Sequence, residues 1–92
     1  MPSLTAESIE SRLRELPGWR VEAGELVRTF QFADFRAALR FVNSVGELAE
    51  QAGHHPDIDI RYNRVRLALT THDAGGLTDK DFDLAARAGK AA

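Results

Sequence analysis

All three histidines of this chain lie between positions 54 and 72: His54 and His55, followed by Pro56, and His72 inside Thr70-Thr71-His72-Asp73-Ala74-Gly75-Gly76. Imidazole gives or takes a proton near neutral pH, so three of them flanking one predicted β-hairpin point to acid–base chemistry. Glu50 precedes His54 by four residues. On a helix that spacing puts both on one face, where a carboxylate fixes the imidazole tautomer and favours its protonated form. The partial negative charge of a helix C-terminus acts in the same sense. Such a group suits proton donation, although a helix-end histidine also arises on electrostatic grounds alone. His55 must diverge from its neighbour, and Pro56 holds it to extended backbone; a substrate contact and a structural role are both open to it. His72 stands where a strand gives way to a loop, and Gly75-Gly76 lets the backbone turn sharply or approach a ligand closely. Asp81, three residues after Thr78, fits a capping box and could also set the position of the His72 loop.

Other chemistries find less support. Adjacent histidines converge poorly on one ion, and no His-Glu-x-x-His occurs, so no metal site is expected. Cysteine is absent, which removes disulfides, thiol nucleophiles and cysteine-based zinc sites. No Gly-x-Ser-x-Gly elbow is present. Twelve Lys and Arg against fourteen Asp and Glu give a net charge of −2, with no global field to attract a polyanion, so nucleic acid is not an expected partner. The first residues, Met1-Pro2-Ser3-Leu4-Thr5, show no basic segment leading into an apolar run, and no stretch has the length to span a bilayer. A cytoplasmic protein without membrane contact is the expectation.

The positioning elements follow from pattern. Ninety-two residues with 43% apolar content suit one domain over 1–92 with a modest core. Thr5 can cap a first helix, with Leu4 and Ile9 as a hydrophobic staple; Ile9, Leu13 and Leu16 recur at helical spacing until Pro17-Gly18. Trp19–Glu22 and Leu26–Phe32 read as strands joined at Ala23-Gly24. Asp34 can cap a second helix with a stripe of Phe35, Ala38, Leu39, Val42, Val45 and Ala49. Phe41 and Leu48 fall outside that stripe and predict burial against another subunit. Gly53 stops the helix and Pro56 forbids its continuation.

Ile58, Ile60 and Tyr62 then alternate with Asp57, Asp59 and Arg61, Asn63-Arg64 is a turn, and Val65, Leu67 and Leu69 form the core side of a last strand. By parity His72 joins the opposite side if that strand runs so far. Thr78 caps a final helix, with Leu77 and Phe82 in staple positions. The order α-β-β-α-β-β-α predicts an α+β fold, a four-stranded antiparallel sheet with three helices packed on one face.

Glu50-Gln51-Ala52-Gly53-His54-His55-Pro56, then Tyr62-Asn63-Arg64-Val65, then Thr70-Thr71-His72-Asp73 through Gly76-Leu77-Thr78-Asp79-Lys80-Asp81, resembles the pterin-4a-carbinolamine dehydratase family, as does Gly18-Trp19 after the first helix. The resemblance covers nearly the whole chain. One departure is Ile58, where the family often carries an aromatic residue two positions after the proline. The resemblance implies dehydration of 4a-hydroxytetrahydrobiopterin, or a related tetrahydropterin, to the quinonoid dihydropterin during tetrahydrobiopterin recycling, with no metal or redox cofactor. It implies His54 and His72 as the acid–base pair with Glu50 tuning His54, His55 holding substrate, and the backbone of Gly53 and of Thr70, Thr71 and Asp73 binding the pterin edge. Asp81 and Pro56 would support that set from behind. It also implies a homo-oligomer, a dimer or tetramer. A similar fold serves as a dimerisation cofactor of a homeodomain transcription factor, which leaves a non-catalytic interaction module as the alternative; a related pterin of folate or molybdenum-cofactor metabolism is a third reading.

Overall fold

The computed structural model describes residues 2–92, and its elements run α1 (Ala6–Leu13), β1 (Arg20–Glu22), β2 (Glu25–Gln31), α2 (Phe35–Ala52), β3 (Asp57–Arg61), β4 (Arg64–Leu69), a short 3-10 turn (His72–Ala74) and α3 (Asp79–Ala91). The four strands form one antiparallel sheet in the order β1-β2-β4-β3. This is the expected α+β architecture in the expected order.

Local chemistry explains the boundaries. Thr5 accepts the Ser8 backbone N–H at 3.1 Å and Asp34 accepts that of Ala37 at 2.8 Å, each satisfying a donor that the first helical turn leaves free. Ala23 and Gly24, both at positive φ, make the two-residue β1–β2 turn. The second hairpin turns one residue earlier than its sequence suggests. Arg61 pairs with Arg64, so the turn is Tyr62-Asn63 and Tyr62 takes the positive φ. Asn63 is held there because its side-chain amide donates to the Phe32 carbonyl at 2.8 Å while its own carbonyl accepts the Phe32 N–H.

The core lies between one sheet face and the helices. Leu26 and Phe30 of β2 and Val65, Leu67 and Leu69 of β4 meet Ala38, Phe41, Val45 and Ala49 of α2 and Phe82, Leu84, Ala85 and Ala88 of α3. The expected α2 stripe is therefore rotated. Phe41 is buried, its ring 4.6 Å from that of Phe30 and 4.9 Å from that of Phe32, and Leu48 is partly buried beside the same core. Phe35 and Leu39, assigned inward by their spacing, are exposed. A periodic pattern carries two apolar lines on this helix, and the aromatic partners Phe30 of β2 and Phe32 just after it decide which one turns inward. Phe41 is thus buried within its own chain rather than left for another subunit, and Leu48 packs partly against the same core.

Candidate active site

The ends of three elements bring the histidines together. α2 closes with Gly53 at φ 61°, a left-handed cap that glycine adopts without a Cβ penalty. The His54 N–H then donates back to the Ala49 carbonyl at 3.1 Å, so His54 already lies beyond the helix. β4 ends at Leu69, before the parity that was to orient His72 can act. Thr71 instead bridges to Gly76 and closes a small loop with His72, Asp73 and Ala74 at its tip. A Cβ at Gly76 would stand 3.1 Å from the Ser3 side chain, so the N-terminal segment packs against this loop, pinned by the Leu4 N–H to Leu77 carbonyl bond of 2.7 Å.

Asp81 joins these parts. Its buried carboxylate accepts the His54 Nε2–H through Oδ1 at 2.6 Å. Through Oδ2 it accepts the Thr71 hydroxyl at 2.8 Å and the Thr78 backbone N–H at 2.9 Å, the latter as part of a capping box on α3. With its proton committed to Asp81, the Thr71 oxygen accepts the Thr78 hydroxyl at 2.8 Å. Every donor in this buried cluster is matched, as a low-dielectric site requires. Asp81 thus holds the His72 loop through Thr71 and fixes the tautomer of His54, leaving Nδ1 as the free ring nitrogen.

Glu50 does not do this. The left-handed turn at Gly53 carries His54 off the helix face, and Glu50 instead contacts His55 Nε2 in an exposed pair. Such solvated pairs contribute little.

Gly53, His54, His55, Thr70, Thr71, His72, Asp73 and Lys80 line one open cleft of about 290 Å³. His54 and His72 therefore share a cavity, as do the backbone positions expected to bind a ring edge. Pro56, Tyr62 and Ile58 lie elsewhere: Tyr62 is exposed in its turn, and Ile58 and Pro56 border a separate groove against α2. Lys80 had no assigned role in the sequence, although it stands beside Asp81 in the first turn of α3; its only signal was that adjacency. Among the described residues no group of three or more His, Cys, Asp or Glu is placed to hold a metal ion.

The model of the pterin 4 alpha carbinolamine dehydratase family matches residues 2–91. The chain belongs to that family. A relative in Acidobacterium capsulatum, provisionally named pterin-4-alpha-carbinolamine dehydratase, is 66% identical over 86 residues, covering 94% of each chain. One of the same provisional name in Chloroflexus aurantiacus is 65% identical, covering 94% of this chain and 92% of its own. The crystal structure of a transcriptional coactivator/pterin dehydratase from Brucella melitensis superposes with a TM-score of 0.94 at 35% identity, over 98% of both chains. The dehydratase family is therefore the frame for this cleft, and among the described residues no helix is long and apolar enough to cross a membrane.

Proposed function

We propose that the cleft dehydrates a 4a-hydroxytetrahydropterin to the quinonoid dihydropterin, the step that returns a tetrahydropterin to use after hydroxylation. The observation that carries this reading is the convergence of His54 and His72 on one cavity from different elements. The elimination is redox-neutral: C4a loses its hydroxyl, N5 loses its proton, a C4a–N5 double bond forms and water departs. His54 takes the N5 proton at Nδ1, and Asp81 behind it offsets the arriving charge, as a carboxylate does for the imidazole of a serine-hydrolase triad. His72, exposed at the loop tip, delivers the proton to the departing hydroxyl. His55 and the backbone of Gly53, Thr70, Thr71 and Asp73 bind the pterin edge.

A stopped-flow assay of 4a-hydroxytetrahydropterin decay tests this. General acid–base groups typically contribute about 10²–10⁴-fold each, so His54→Ala and His72→Ala should lower kcat by that order with circular dichroism unchanged. Wild-type decay no faster than the spontaneous reaction would end the dehydratase reading.

A second reading has its own support. The Brucella melitensis neighbour is described as a coactivator as well as a dehydratase, and α2 leaves Phe35 and Leu39 exposed while Ile58 and Ile60 of the β3 edge are more than a third exposed. This face would serve self-association into a homo-oligomer, or contact with another protein. His54→Ala and His72→Ala should leave it intact.

A further inference from the structure

A second cavity of about 260 Å³ also borders His54, lined by Gln51 and Ala52 at the end of α2, His54, and Lys80, Asp83, Leu84 and Arg87 of α3. It shares His54 and Lys80 with the catalytic cleft, so a molecule seated between the histidines has this cavity as its neighbour across one side chain. Lys80, Asp83, Leu84 and Arg87 follow the i, i+3, i+4, i+7 spacing of one helix face.

The charges on α3 are sorted. Arg12 of α1 draws the carboxylates of Asp79 (2.6 Å) and Asp83 (3.5 Å) toward itself, its guanidinium lying 5.0 Å from the centre of the Phe82 ring. Arg87, four residues after Asp83, would ordinarily pair with it on the helix surface. Among the described residues neither Lys80 nor Arg87 forms an ion pair or a side-chain hydrogen bond. Two cations without carboxylate partners thus border a cavity that opens beside His54, and the one acid in its lining is engaged elsewhere.

We propose that this cavity is a subsite for an anionic side chain on the pterin, so that the preferred substrate carries a phosphate or carboxylate on the substituent beyond C6 rather than a neutral polyol alone. The proposal rests on the pterin reading above. Lys80 supplies a mobile ammonium at the boundary of the two cavities, and Arg87 supplies the planar fork that grips phosphate or carboxylate bidentately. The pterin bicycle lies between His54 and His72, and its tail crosses Lys80 toward Arg87.

Fluorescence titration with stable oxidised pterins separates the claims. The probes are 6-hydroxymethylpterin, its monophosphate, and pterin-6-carboxylate. Wild-type protein should bind the phosphate or the carboxylate roughly tenfold or more tighter than the neutral alcohol, as charge-assisted pairing predicts, and the two anions distinguish which tail fits. Arg87→Met should erase that preference, leave the affinity for 6-hydroxymethylpterin within about twofold, and leave the melting temperature unchanged. Arg87→Lys should restore part of the preference, and rising salt should shrink it. Equal affinity for all three probes, or a preference that survives Arg87→Met, would overturn the subsite while leaving the dehydratase reading standing. Failure to bind any of the pterins would overturn both.

Discussion

Asp81 serves three donors with two oxygens, and its substitution separates two roles. Asp81→Asn keeps the shape, but its amide N–H₂ facing His54 is met only if the imidazole accepts at Nε2 and moves its proton to Nδ1. Exchanging the charged acceptor for a neutral one weakens the buried bonds it receives, at a cost of about 1–3 kcal/mol, and melting should show it. If His54 is the base, kcat should also fall by about 10²-fold or more, because the tautomer is no longer fixed. Thr71→Val removes only the loop tether; comparable destabilisation with a much smaller fall in kcat should be seen in the same assays. Equal kcat losses for both variants would mean that loop placement alone governs activity. Glu50→Gln gives a sharp contrast. Its partner is the exposed His55, so kcat should stay within a few-fold of wild type, whereas a Glu50–His54 couple would require a large loss.

The helices and strands explain how much of this was legible beforehand. Caps were readable because Thr5, Asp34, Gly53 and Thr78 act within four residues of themselves, and local chemistry does not depend on the rest of the fold. The convergence of His54 and His72 was indicated by their flanking one hairpin. What pattern missed was long-range. The Glu50 assignment assumed that the helix continued through Gly53, and His54 finds its true partner 27 residues away. The inward side of α2 was likewise fixed by Phe30 of β2 and Phe32 just after it. Phe41→Ala should therefore cost about 3–5 kcal/mol by denaturant unfolding, as large aromatic truncations in cores do. Leu39→Ala, on the exposed line, should cost far less in the isolated monomer. Similar losses at both positions would indicate that α2 is buried on two sides.

The molecule as a whole leaves helices on one sheet face and β3 as an edge strand with all five residues exposed. Open edges and exposed apolar residues are usually covered in assemblies. Light scattering behind size exclusion should give a mass above that of the 10.2 kDa chain, and Leu39→Glu should lower it if the α2 face is the contact. A single monomeric mass at tens of micromolar would retire the oligomer. The cleft is lined from the ends of α2 and β4 and the start of α3, and by neither Phe35 nor Leu39, so a monomeric Leu39→Glu variant should keep most of its turnover.

The loop carrying His72 and the helix cap of α3 hang from the same acid. Thermotolerance and turnover are consequently tied at position 81: a screen that selected only for heat resistance, with no pterin in the medium, would still retain this carboxylate. Drift that spared folding would find few routes to disarm His54 through its partner, and lost activity in descendants of this chain should trace first to the imidazoles themselves.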